Sequence, residues 1–171
     1  MPRIALDLNQ AEDRQKVRGR WKVAQGLVPG EPNEGLRAQL PASPARLPDY
    51  DDSGWADCNN IRASLSSGFT FAWYRIAVDV PERLDGMSLA GSRMFIEANV
   101  DNYGEIWVDG QIDRANGVIV GINAQQRVEI SNSATPGSRH VIAVLVANGP
   151  LAEARGGVFM RFATLSFETA G

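Results

Sequence analysis

Histidine and cysteine are almost missing from this 171-residue chain, which holds His140, Cys58 and no other of either type. A single thiol excludes an internal disulfide framework, and one imidazole beside one thiol excludes a metal centre built on His and Cys clusters. A basic excess is missing too. The 17 Lys and Arg stand against 20 Asp and Glu, a net charge of −3, so nucleic acid is not an expected partner. No apolar run reaches the length of a membrane span, and no membrane partner is expected. Met1–Gln10 has neither the continuous apolar segment nor the small-residue cleavage pattern of a signal peptide. The expected location is therefore the cytoplasm, although a piece of a larger enzyme would read the same.

What is present fits a soluble globular domain: 44% hydrophobic and 22% charged residues over a length that suits one domain, 1–171. Residues 1–68 read as one short strand around Trp21, a polar and helix-compatible stretch at Leu8–Val17, and a long wrapping segment. In that segment Pro29, Gly30, Pro32, Gly35, Pro41, Pro44 and Pro48 rule out a central strand or long helix between Leu27 and Ser53. Leu47 and Trp55 give it apolar points by which to dock. From 69 to 168 the pattern turns regular. Strands are expected at Phe71–Val80, Met94–Val100, Val118–Ile122, Arg127–Ile130, His140–Ala147 and Val158–Glu168, with a turn at Thr135-Pro-Gly-Ser. Many short strands, turn signals between them and no credible amphipathic helix predict an all-β fold, a sandwich or jelly roll.

The segment Asn99–Gly110 is the most informative. With period two, Gly104, Ile106 and Val108 point to one side, and Tyr103, Glu105 and Trp107 to the other. Asp109-Gly110 supplies the left-handed backbone of a tight hairpin turn. One side suits a sandwich core; the other carries aromatic rings and carboxylates, as a surface that stacks on a sugar would.

Three motifs in order carry a family resemblance. They are Ala72-Trp-Tyr-Arg75 closing at Val80-Pro81, the Asn99–Gly110 strand and turn, and Pro136-Gly-Ser-Arg-His-Val-Ile-Ala-Val144. Together they resemble the galactose-binding-like jelly roll, in particular the sugar-binding domain at the front of family-two glycoside hydrolases. The resemblance spans the last two-thirds of the chain. It implies a β-sandwich with a long irregular N-terminal wrap, and a sugar or sugar-like ligand. It also implies neighbouring strands for the outward residues. Within these 171 residues no catalytic barrel is expected, so that family's catalytic glutamates have no counterpart among them, and His140 stands near where the family has Asn.

The candidate ligand residues are Trp73, Arg75, Asn99, Asp101, Tyr103, Glu105 and Trp107, whose parities, with that of Glu97, coincide on one face if the strands are neighbours. Rings would stack on the apolar faces of a sugar, and Arg75 and the carboxylates would hold its hydroxyls. The competing account packs both tryptophans under the proline-rich segment, with Arg75 in an ion pair. Were the chain an enzyme, Asp101, Glu105, Arg75 and His140 would be the catalytic candidates. The i, i+4 carboxylates stand about 13 Å apart on a straight strand, too far for a glycosidase pair. A single acid/base assisted by Arg75 is left open, for lactone hydrolysis, isomerisation or cyclisation. His140 suits turn capping better than catalysis. No cofactor is expected beyond a calcium ion, which relatives of this fold hold through loop carboxylates and for which Asp49, Asp51 and Asp52 are the oxygen-rich candidates. Three roles thus stand: a stand-alone sugar-binding domain, a small enzyme, and a non-catalytic subunit docking on a partner enzyme chain or on its own copies.

Overall fold

The structure is a computed structural model that describes residues 2–31, 43–148 and 156–169. Ten strands occur in it: β1 (Arg3–Asp7), β2 (Lys22–Gln25), β3 (Ala56–Asp57), β4 (Thr70–Asp79), β5 (Arg83–Leu84), β6 (Met87–Ser88), β7 (Arg93–Val108), β8 (Val118–Ser131), β9 (Arg139–Asn148) and β10 (Met160–Glu168). One short helix, α1 (Ala11–Lys16), falls inside the stretch expected to be helix-compatible. The fold is all-β, as the alternation predicts. The sequence does not mark β1, where only Ile4 and Leu6 carry the alternation, nor the two-residue strands β3, β5 and β6, which are too short to show one.

The sheet is antiparallel, in the order β1-β10-β7-β9-β4-β2-β3, and β8 pairs with β7. Its curl into a sandwich comes from β7. The first half of that strand, Arg93–Val100, pairs with β10, and the second half, Tyr103–Val108, pairs with β9. At the changeover β8 runs one residue longer than β7, with Gly121 and Asn123 at positive φ, which bends the ladder. Gly104 lies just past the bend, where an added Cβ would come within 2.9 Å of Val100 Cγ2 and 3.0 Å of the Leu145 carbonyl. Only glycine allows the two halves to approach so closely.

The main core lies between the two halves. Met94, Ile96, Ala98 and Val100 of β7 meet Tyr74, Ile76 and Val78 of β4, with Leu165 and Phe167 from β10 and Val144 and Val146 from β9. Ile106 is fully buried in this core, so the inward parity assigned to it holds. The Asp109-Gly110 turn forms as expected: both residues have positive φ, and Val108 and Gln111 exchange backbone hydrogen bonds at 2.8 and 2.9 Å. The two short segments expected at 118–122 and 127–130 are one strand, β8, because a bulge interrupts the alternation without ending the pairing. Its Val120 and Ile122 are 69% and 84% exposed.

The described parts of the wrap, 27–31 and 43–55, contain no strand, only a 3-10 turn at Pro44–Arg46. The expectations for Pro32, Gly35 and Pro41 fall outside the described residues. Among the described residues no helix is long and apolar enough to cross a membrane.

Candidate functional site

Strand register decides which expected site residues meet. Across β4, β9 and β7, Phe71, Ala147 and Tyr103 form one row, Trp73, Leu145 and Glu105 the next, and Arg75, Ala143 and Trp107 a third. All nine point away from the main core. Five of the seven candidate ligand residues, Trp73, Arg75, Tyr103, Glu105 and Trp107, therefore share one outer face, as their parity predicts.

The wrap covers that face. Trp73 has no exposed surface and donates its indole N–H to the Leu27 carbonyl at 2.7 Å; the Ser43 hydroxyl donates to the same oxygen at 2.7 Å. Trp107 is 6% exposed, with the guanidinium groups of Arg46 and Arg114 over its ring at 5.6 and 5.4 Å. Leu27 and Ala45 join these rings, Phe71, Ala143 and Leu145 in a second apolar cluster. The expectation of an open stacking platform at Trp73 and Trp107 is thus corrected. Each large ring buries roughly 150–250 Å² when covered, and the wrap supplies the apolar surface that covers it.

Arg75 holds the wrap down. Its side chain is 3% exposed. The Nε donates to Asp52 Oδ2 at 2.9 Å, and Nη1 donates to the carbonyls of Ala45 and Leu47 at 2.6 and 2.8 Å. Its guanidinium also lies 5.5 Å from the Tyr50 ring centre and 6.0 Å from that of Trp55. Five N–H groups in a rigid fork allow one side chain to gather this many acceptors. Glu105 is equally committed. At 1% exposure it accepts from the Tyr103 hydroxyl at 2.7 Å, the Trp107 indole at 2.9 Å and Arg114 Nη1 at 3.0 Å. Burial, and then the bond to Glu105, raise the Tyr103 phenol above its ordinary pKa.

The remaining candidates lie elsewhere, and the expectation of a single continuous site is corrected for them. Asn99 is beside β10 and donates to the Asn123 carbonyl at 3.0 Å. Asp101, at the changeover of β7, accepts from Arg161 Nη2 of β10 at 2.8 Å. Asp101 and Glu105 therefore sit in separate ion pairs and form no carboxylate pair. His140 Nδ1 is 2.7 Å from Asp109 Oδ2, and the other oxygen of Asp109 accepts the Val141 N–H at 2.7 Å. That carboxylate ties the β7 turn to the start of β9, and His140 completes the tie. Asp51 accepts from Ser53 and is held below the usual carboxylate range by it, while Asp52 faces Arg75. Asp49 is exposed. The three do not converge, and among the described residues no group of three His, Cys, Asp or Glu is placed to hold a metal ion.

A groove that sequence reasoning missed lies on the wrap itself. It is an open groove of about 550 Å³ lined by Val23 and Ala24 of β2, by residues of the segment Tyr50–Ala56 and by Pro29 and Gly30. Tyr50 and Trp55 are half-buried, with ring centres 5.5 Å apart and planes tilted by 59°. Asp51 and Ser53 place a carboxylate, ionised at neutral pH, and a hydroxyl beside them. Trp55 is visible in the sequence as an apolar docking point. Nothing local shows that the Arg75 guanidinium of β4 would lie over its ring, with Tyr50 beside it.

No protein-family model matches the chain, and no curated protein matches it. Solved structures do. A β-glucuronidase from Bacteroides uniformis superposes with a TM-score of 0.64 at 16% identity, over 97% of this chain and 18% of that one. A β-glucuronidase from Faecalibacterium prausnitzii gives 0.60 at 15% identity, over 97% and 31%. A glycosyl hydrolase family 2 member from Bacteroides cellulosilyticus gives 0.59 at 15% identity, over 95% and 20%. The likeness is one of fold, and it agrees with the jelly roll that the motifs resemble. The chain spans less than a third of the length of these neighbours.

Proposed function

We propose that this chain is a sugar-binding jelly-roll domain without chemistry of its own, and that its ligand lies in the Tyr50–Trp55 groove. The observation that carries this reading is a tilted pair of partly open rings with a carboxylate and a hydroxyl at their side, which is the chemistry that grips a pyranose by its apolar face and its hydroxyls. The buried Trp73, Arg75, Glu105 and Trp107 then serve by supporting the wrap that bears the rings. Neighbours named as glycoside hydrolases add weight, because they carry the same fold within enzymes that act on saccharides. The test is calorimetric titration with the methyl β-glycosides of glucuronic acid, galactose and glucose. At least one should bind, and Trp55→Ala should weaken it by roughly tenfold, as loss of a stacking ring does. Binding that is unchanged in Trp55→Ala, or absent for all three, refutes the assignment.

A second reading, docking on a partner enzyme chain, is favoured by β8, whose exposed Val120 and Ile122 lie on a strand that pairs on one side only among the described residues. A glycoside hydrolase chain that co-purifies with the wild type and not with Ile122→Lys would support it; equal co-purification would sink it.

A further inference from the structure

Beyond Arg75, past the contacts of the described part of the wrap, the outer face of β4 continues as Ala77 and Asp79. A methyl group where its neighbours have long side chains leaves a hollow of about 170 Å³, floored by Ala77 and Arg75. Its walls come from separate elements. Arg18, Arg20 and Lys22 alternate on the approach to and start of β2, with the intervening Trp21 fully buried, and Arg139 stands opposite at the start of β9. Asp52 is the one carboxylate in the lining.

The charges do not cancel. Arg18 and Arg139 share Asp79, Arg20 and Lys22 share Asp57, and Arg75 pairs with Asp52. Five cations on three carboxylates leave a local surplus of two positive charges on a chain whose net charge is −3. The arginines are also under-used as donors. Arg18 and Arg20 reach their carboxylates only at 3.9 and 3.7 Å, with side chains 84% and 75% exposed. Neither distance is a hydrogen bond, so most of their N–H groups remain available to a ligand.

We infer that this hollow binds a tetrahedral oxyanion, phosphate or sulfate, either free or as an ester. Cations line it from the approach to β2, from the first residue of β2 and from β9, with Arg75, its fork committed to the wrap, adding charge from β4, which matches an anion with acceptor oxygens in several directions better than a planar carboxylate met by one fork. Arg18 and Arg139 also line an adjoining cavity of about 480 Å³, which offers room for the group that an ester would carry. The site stands independently of the Tyr50–Trp55 groove, and its test uses neither ring.

The experiment titrates the full chain, in a low-salt buffer free of phosphate, with inorganic phosphate, sulfate and glucose 6-phosphate, and with potassium chloride at matched ionic strength. Calorimetry and thermal shift are the readouts. Saturable binding of an oxyanion, absent with chloride, is expected. The doubly substituted Arg18→Gln/Arg20→Gln chain should bind at least tenfold more weakly, and so should Arg139→Gln, which controls for any local rearrangement of the approach to β2. Tighter binding of glucose 6-phosphate than of inorganic phosphate identifies an ester ligand, and equal binding identifies the free oxyanion. Either supports the site. A response that chloride reproduces, or affinity that both variants retain, overturns it.

Discussion

Replacing Arg75 by methionine keeps an apolar stem of similar length and deletes the guanidinium that ties 45–52 to β4. Three short charge-assisted hydrogen bonds disappear, to Asp52, Ala45 and Leu47. At about 1.5–3 kcal/mol each, a plain sum would overstate the loss, because the freed acceptors recover water to different extents. Asp52, with 31% of its side chain exposed, is already partly hydrated, whereas Ala45 is fully buried and its carbonyl is stranded unless the wrap lifts. We therefore expect about 3 kcal/mol, the lower end for breaking one side of a buried charged contact. The cost falls on wrap docking rather than on the sandwich, because Arg75 lies on the outer face of β4, in the row of Ala143 and Trp107. By the factor of ten per 1.4 kcal/mol, amide exchange in 43–55 should speed up roughly a hundredfold. Quenching of tryptophan fluorescence by acrylamide should rise as Trp73 and Trp107 open, and the far-ultraviolet β signal should persist. Exchange in the wrap within about threefold of wild type would show that Arg75 is not what holds it.

Glu105→Ala should cost about 2–4 kcal/mol in urea denaturation, because it strands the Tyr103 hydroxyl and the Trp107 indole, and Glu105→Gln should cost less, because its one amide oxygen still accepts on one side while its NH2 cannot; equal losses would mean that the retained oxygen contributes nothing. Stability should also fall as pH rises above about 10. Burial raises the folded-state pKa of Tyr74 and Tyr103 above the ordinary phenol value of about 10, so unfolded phenols release protons that the folded ones keep, and the slope reaches at most about 1.4 kcal/mol per pH unit for each tyrosine. Urea midpoints that stay level through that range, with all phenols titrating together in ultraviolet absorbance, would refute the burial assigned to these rings.

Much of this was legible residue by residue. The opposite parities of Ile106 and Trp107, the Asp109-Gly110 turn and the alternation of β4 are local properties, and each appears where the sequence puts it. The candidate site was legible only in part. Parity correctly placed Trp73, Arg75, Tyr103, Glu105 and Trp107 on one face, but parity cannot say whether a face is wet. Asn99 and Asp101 have the same parity and still belong elsewhere, because β7 changes partner between Val100 and Tyr103.

The all-β class, the long strands β4, β7, β9 and β10 and the inward set of side chains are local properties of the sequence, because a pleated backbone forces alternation and an apolar face must find a core. Tertiary structure alone decided what lies over the outer face. The contacts that cover it, Trp73 to Leu27 and Arg75 to Ala45, Leu47 and Asp52, join residues 23 to 46 positions apart. No local pattern encodes contacts at that separation. They hold only once β4 has presented a buried donor to a segment whose own proline-rich backbone cannot pair into the sheet.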